Sequence, residues 1–375
     1  MDISTPCHVI DLDKLRSNLE FPIKYIREET KCHVLLAIKG FSAPSILSYM
    51  RDGLDGISAS GLYEARLGKE AIDKFVCTFS PAYQIHNFNE VAQYSDAIVF
   101  NSIKQFSMYN ALAYKKGCTC GIRINLEYSE LPENFDANPN QKYSRLGIKF
   151  DDMPSISMFE TGKIEGIHLH TMCEQGADTL ERTICVLIEK YDLYLRRIQW
   201  LNLGGGQMYA KNDYDVERAI RSLNVLRKRY DVEVYLEPCA GIMSDCGYYA
   251  TTVVDIVQNE MNIAILDGSS ICHMPDAVYR GWHRRVRGAD GVGINEHNYR
   301  LTGPSCFPGD IWGDYSFPEP LNIGDLIIFE DAAHYTSVKS SMFNGLPLPT
   351  LATYNKAEGF KIKKEYGYEH FISCQ

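Results

Sequence analysis

Between residues 33 and 238, eight short apolar or β-branched runs alternate with longer stretches of helical character. The runs are 33–39 (HVLLAIK), 56–60 (GISAS), 76–80 (VCTFS), 97–100 (AIVF), 121–126 (GIRINL), 164–170 (IEGIHLH), 200–205 (WLNLGG) and 232–238 (VEVYLEP). Between them, 43–51, 102–115, 178–190 and 213–229 read as helices, with Asp178 and Asp213 at helix starts. Strands separated by helices pair in parallel, because a parallel neighbour is reached only through a crossover. Eight such units predict an α/β fold, a closed (β/α)8 barrel of the TIM type. A doubly wound open sheet is the other reading of the same alternation. The long polar stretch 127–149 reads as an extended loop at one barrel face, where function tends to gather.

The texture changes after residue 244. Runs at 250–257, 262–267, 299–302 and 326–330 look like strands, separated by Pro, Gly and charged loops with little helical periodicity. The chain therefore divides into a barrel over 12–243 and a C-terminal β domain over 244–375. The strand-like opening within residues 1–11 is free to join that β domain.

Acidic residues outnumber basic ones, 48 to 38, for a net charge of -10. That balance argues against a nucleic-acid partner, which needs a basic face. No run is long and apolar enough to cross a membrane. The opening MDISTPCHVIDLDKL has no basic start leading into an apolar core, so a signal peptide is not expected and a cytoplasmic protein is. The twelve cysteines are scattered, and Cys118-Thr119-Cys120 is not spaced as a zinc pair; no structural metal is expected.

Active-site groups of such barrels come from the C-terminal ends of the strands. Four unusual features fall there. Lys39 closes the first run, after an apolar stretch whose desolvation would favour a neutral, nucleophilic amine; a solvated strand-end lysine is the plainer reading. His168 and His170 close the sixth run, two residues apart and so on one face, suited to packing on a flat ring or to binding a metal as in barrel hydrolases. Gly204, Gly205 and Gly206 follow the seventh, where a close-approaching backbone can hold a phosphate or simply turn. Glu237 ends the eighth, where a carboxylate can keep a pyridine nitrogen protonated or form an ordinary salt bridge.

Longer motifs go further. AIKGFS around Lys39, YSRLGI at 143–148, GIHLHTMCEQ at 166–175, LNLGGG at 201–206, CHMPDA at 272–277, GPSCFPGDIWGDYSF at 303–317 and DAAHYTSVKSSMFNGLPLP at 331–349 span nearly the whole chain. Together they resemble the fold-III decarboxylases that use pyridoxal 5'-phosphate (PLP), nearest to the carboxynorspermidine and carboxyspermidine decarboxylases. The resemblance implies an alanine-racemase-type barrel with a β domain, working as a homodimer with shared active sites. It implies that Lys39 carries the cofactor, His170 stacks on its ring, and Glu237 binds its pyridine nitrogen. Gly204, Gly205, Gly206 and Tyr335 would hold its phosphate. Cys306 would reach the site from the partner subunit and help protonate the substrate carbon. Asp276 would bind a substrate amine. Arg145 is a candidate carboxylate contact, or else a solvated loop arginine.

One departure bears on the substrate. The family usually has Glu-Pro-Gly-Glu-Ala after the eighth strand, and this chain has Glu237-Pro238-Cys239-Ala240-Gly241. The carboxylate facing the ring is kept, but the expected phosphate-side glycine is Cys239 and the expected substrate-binding glutamate is Ala240. Decarboxylation of a carboxylated polyamine is the expected function. A changed amino-acid substrate, or a relative that binds PLP without turnover, are the alternatives.

Overall fold

The computed structural model describes residues 4–281 and 283–375. It forms two compact units: Asn18–Ile242, and the residues up to Ser17 together with Met243–Gln375. The first strand of the chain, β1 (Cys7–Asp11), lies in the second of these.

The unit Asn18–Ile242 is a closed barrel of eight parallel strands in sequence order. They are β2 (His33–Ala37), β3 (Gly56–Ala59), β4 (Phe75–Ser80), β5 (Ala97–Phe100), β6 (Thr119–Arg123), β7 (Gly166–His168), β8 (Trp200–Asn202) and β9 (Glu233–Leu236). Pairing of β9 with β2, His33 opposite Tyr235 and Val34 opposite Leu236, closes the ring and excludes the open sheet. Every strand overlaps one of the eight apolar runs, although β4 starts one residue and β6 two residues before the run that marks it. Inside, Leu35, Cys77, Ala97, Val99 and Trp200 form a buried cluster. The Trp200 indole lies where side chains on Gly121 and Gly166 would be, and its N–H donates to Thr119 Oγ1 at 2.9 Å, so this large ring is buried without an unmet donor.

The helices that cover the barrel have identifiable starts. Ser102 caps Ile103–Lys115 by accepting the Gln105 N–H at 3.2 Å. The helix expected to start at Asp213 starts instead on Asp215, whose carboxylate accepts the Arg218 N–H at 2.9 Å and covers Val216–Tyr230. Asp178 is not a cap either: it sits in the first turn of Ala177–Leu195 and pairs with Arg182, one turn on, at 2.8 Å. The polar stretch after β6 is a loop, as expected, without helix or strand until Phe150. Asn101 pins its far end, donating to the Arg145 carbonyl at 2.8 Å and accepting the Gly147 N–H at 2.7 Å.

The second unit is an eight-stranded sheet. After β1 it contains β10 (Gly247–Asn259), β11 (Met261–Leu266), β12 (His297–Thr302), β13 (Ile311–Phe317), β14 (Leu326–Phe329), β15 (Thr350–Asn355) and β16 (Gly359–Lys364). The order is β13-β12-β11-β10-β1-β15-β16, with β14 also paired to β10. Thus β1 runs between β10 and β15, antiparallel to the first and parallel to the second. Residues 12–17, assigned to the barrel from sequence, group with this sheet. The helix Leu12–Asn18 leaves β1 without a loop, and Asp11 Oδ1 accepts the Asp13 and Lys14 N–H groups at 3.0 and 2.9 Å. The core is aromatic: Trp312 stacks on Phe329 at 4.4 Å and on Tyr249 at 5.4 Å between ring centroids.

Candidate active site

All four strand-end features belong to the barrel unit and gather at one end of it. Lys39 lies two residues past the end of β2, in a turn, and is exposed. The strand stops at Ala37 and Ile38 is buried beneath it, but Lys39 itself is exposed, so the enclosing apolar wall expected from sequence does not surround the ammonium group. Its positive charge acts on His168, His170, Glu237 and Cys239, which places it electrostatically in their company.

Glu237 is the best-defined group. One carboxylate oxygen accepts the Asn202 amide at 2.7 Å, and the other lies 3.5 Å from Nε2 of His168, an imidazole that burial pushes toward its neutral form. Burial alone pushes this carboxyl up, but His168, Asn202 and Lys39 outweigh it and hold it down at about 2. His168 is fully buried, with no hydrogen-bond partner on either ring nitrogen, and stacks on Phe79 at 5.4 Å. Over the same Phe79 ring, 4.6 Å from its centroid, lies the guanidinium of Arg123. Burial lowers Arg123 to about 10, against the pull of Glu237. The strand ends thus surround a carboxylate that stays ionised, with a buried arginine and two imidazoles beside it.

The glycine triplet is a backbone cradle. Gly204 and Gly206 have φ of +66° and +98°. A β carbon at Gly204 would sit 2.6 Å from the Leu169 carbonyl oxygen, and one at Gly206 would strike the Met172 carbonyl. Two of the three amides are already used inside the cradle. Gly204 donates to Asn202 Oδ1 at 2.9 Å, and Gly205 donates to His170 Nδ1 at 3.1 Å. The second bond makes His170 Nδ1 an acceptor and leaves the ring proton on Nε2. Burial, with Lys39 and Arg123 nearby, keeps His170 neutral. The amide of Gly206 finds no acceptor among the described residues, so of the three it is the one left to receive an anion.

The remaining expected residues divide between the units. Arg145 is exposed in the loop of the barrel unit, yet its charge acts on Arg123, so it lies toward the same end. Cys239 is buried, and burial pushes its thiol up to about 12, which makes it an inert wall rather than a nucleophile. Cys306, Tyr335 and Asp276 belong to the sheet unit. Cys306 is exposed, and its N–H donates to Asn344 Oδ1 at 2.8 Å. Tyr335 is half-buried, with φ of +55°. Asp276 was expected to await a substrate amine. Within the chain, Lys339 Nζ contacts its two oxygens at 2.7 and 2.6 Å.

Arg123 and Asn202 were not singled out from sequence. A lone arginine inside the apolar run GIRINL, at the mouth end of its strand, is the signal that marks Arg123. Asn202 holds both Glu237 and Gly204, and nothing in WLNLGGG distinguishes it from a polar strand residue. Among the described residues no three His, Cys, Asp or Glu side chains gather to hold a metal ion. Nor is any helix among them long and apolar enough to cross a membrane.

Comparison with known proteins agrees with this layout. A family model described as pyridoxal-dependent decarboxylase, C-terminal sheet domain, matches residues 9–333. The carboxynorspermidine/carboxyspermidine decarboxylase of Campylobacter jejuni is 37% identical, with 98% of each chain covered. The carboxyaminopropylagmatine decarboxylase of Synechocystis is 34% identical over 98% of this chain and 95% of its own. Among solved structures, the Campylobacter jejuni carboxynorspermidine decarboxylase complexed with norspermidine superposes with a TM-score of 0.91, at 36% identity and 100% coverage of both chains. The chain belongs to the pyridoxal-dependent decarboxylase family.

Proposed function

We propose that the protein uses PLP, carried on Lys39, to decarboxylate carboxynorspermidine or carboxyspermidine, releasing norspermidine or spermidine. The observation that carries this reading is the end-to-end likeness to the Campylobacter jejuni enzyme that holds norspermidine. The residues fit the cofactor. A phosphate suits the Gly204–Gly206 cradle, where no side chain could stand and the Gly206 amide is free. A protonated pyridine nitrogen suits Glu237, which stays ionised at neutral pH. The neutral His170 ring, fixed by its bond to Gly205, suits a stacked aromatic face.

When bound, PLP supplies the electron sink that takes up the pair left as carbon dioxide departs. The protein's own groups do the rest. Glu237 would hold the proton on the ring nitrogen, and Asn202 holds Glu237. His170 would pack against the face of the ring. Tyr335 reinforces the phosphate contacts. Cys306, supplied by the partner subunit of a homodimer, returns a proton to the substrate carbon. Arg145 contacts a carboxylate. A second reading keeps this chemistry and changes the substrate tail. It is favoured by Ala240 in place of the usual glutamate, and by the 34% identity to a decarboxylase of carboxyaminopropylagmatine.

The test is carbon dioxide release by the purified protein from carboxynorspermidine, carboxyspermidine, carboxyaminopropylagmatine and simple diamino acids. Lys39→Ala should lose both the visible absorption of bound cofactor and turnover. Wild-type turnover by Lys39→Ala would remove Lys39 from the assignment. Release from diamino acids alone would move the substrate away from polyamines.

A further inference from the structure

Cys306 lies in the loop 303–310, which joins β12 to β13 in the sheet unit, and both ends of that loop are fixed. The Gly303 N–H donates to the Asp310 carbonyl at 2.8 Å, and the Asp310 N–H donates to the Phe307 carbonyl at 3.0 Å. The Asp310 side chain, 3% exposed, roots the loop in the fold. It accepts the Ser269 hydroxyl at 2.8 Å, the Ser270 N–H and hydroxyl at 2.7 and 2.8 Å, and the Ser305 N–H at 3.3 Å. A β carbon at Gly303 would sit 2.2 Å from this carboxylate, so the closure admits no side chain there. These bonds fasten Ser305 and Phe307, the neighbours of Cys306. The Cys306 N–H between them leaves the loop and donates to Asn344 Oδ1 at 2.8 Å.

Asn344 is itself set for this contact. Its φ is +58°, in the left-handed region that asparagine tolerates better than most side chains. The segment around it stands on the same short helix, Ser270–His273, whose start Asp310 holds. The Ser341 N–H donates to the Cys272 carbonyl at 2.8 Å, and the Cys272 thiol donates to the Phe343 carbonyl at 3.7 Å. Two supports rooted in one segment therefore meet at the loop tip. We propose that Asn344 is a positioning residue for Cys306: it fixes the amide that the bonds of Asp310 do not reach, and so sets the direction in which the thiol leaves the backbone. The inference rests on the reading of Cys306 as the group that returns a proton to the substrate carbon. Cys306 and Asn344 are both exposed, so the bond between them adds little to stability. Its effect is on geometry, to which proton transfer is sensitive.

The experiment measures kcat, KM and cofactor absorbance on carboxynorspermidine for the wild-type holoenzyme, Asn344→Gly, Asn344→Asp, Cys306→Ala and Cys306→Ala with Asn344→Gly. Glycine accepts the left-handed backbone and removes only the acceptor. Asn344→Gly should therefore lose kcat by roughly tenfold or more, with KM and absorbance unchanged. Asn344→Asp keeps an acceptor at the same atom and should keep most of the wild-type kcat. If Asn344 acts only through Cys306, the double variant should be no slower than Cys306→Ala alone. Amide hydrogen exchange at Cys306, read by mass spectrometry, should quicken in Asn344→Gly and not in Asn344→Asp. Thermal unfolding verifies that each variant is folded. Wild-type kcat in folded Asn344→Gly overturns the proposal, as does an equal loss in Asn344→Asp or an additive loss in the double variant. Wild-type turnover by Cys306→Ala would instead strike the role proposed for Cys306. The exchange arm would then still decide the hold: an amide as slow in Asn344→Gly as in wild type would refute it.

Discussion

The structure shows how the charge of Glu237 is kept. Burial opposes ionisation, but His168, the Asn202 amide and Lys39 hold the carboxyl at about 2. Its folded value lies below that of an unfolded glutamate near 4.3, so its contribution to stability is present above that pH and fades only as pH falls toward 2. No ionisation of Glu237 should then appear between pH 5 and 9 in the profile of kcat/KM. Glu237→Gln keeps the shape and removes the charge. It should lower kcat by on the order of 10²–10³, the size of effect seen when one preorganised electrostatic contact is lost, while bound cofactor is retained. Measuring cofactor absorbance beside single-turnover rates checks this. Parallel loss of the cofactor would mean that Glu237 holds PLP rather than tuning it. Lys39, His170 and Glu237 were visible in sequence because each ends an apolar run, where a polar side chain demands a reason. Asn202 was not, because its role is to hold two other groups and no spacing announces that.

At the scale of elements, the barrel strands were easier to find than the sheet strands. A strand buried on both faces is a nearly continuous apolar run, and β2 to β9 each overlap such a run. In the sheet, β13 passes through GDIWGDYSF, where glycine and aspartate break the pattern, and β16 is the lysine-rich edge GFKIKK. The caps were misplaced by one or two residues for a similar reason: Asp213 and Asp215 are equally good caps in sequence, and only the Arg218 amide decides between them. The sheet also buries two histidines that no motif foretold. His8, on β1, packs on Tyr249 at 4.9 Å, and His273 Nδ1 lies 2.8 Å from the Tyr249 hydroxyl. Burial lowers His8 to about 3, with His273 adding to the shift, and lowers His273 to about 4. Between pH 6.5 and about 4 the unfolded chain therefore binds more protons than the folded one, and stability falls as pH falls. Replacing His8 with leucine should remove up to one proton from that dependence, about 1.4 kcal/mol per pH unit. Urea unfolding at half-unit pH steps measures the slope; an unchanged slope in His8→Leu would place the acid sensitivity elsewhere.

At the scale of the whole molecule, the proposed chemistry divides its residues between two units of one chain. Lys39, His170, the glycine cradle and Glu237 belong to the barrel, whereas Cys306 belongs to the sheet. Cys306 is exposed, and its N–H is held by Asn344. A thiol that donates a proton to a substrate carbon must be accessible to it, and an exposed thiol is open to a second copy of the chain. If the partner subunit supplies it, Lys39→Ala and Cys306→Ala spoil different halves of each site. A mixed dimer then has one site with both defects and one with neither. Random exchange of equal amounts makes half of all dimers mixed, so activity should return to about one quarter of wild type. If Cys306 serves its own barrel, every site in the mixture carries one defect and nothing returns. The experiment needs two separable tags, a pull-down that proves exchange, and a carbon dioxide assay before and after mixing. Each variant alone also reports on its residue: Lys39→Ala should lose the visible band, and Cys306→Ala should keep it. Recovery near one quarter, with the band present in half of the subunits, would establish both the dimer and the sharing of its sites. Proven exchange without recovery would refute the sharing while leaving the barrel residues in their roles.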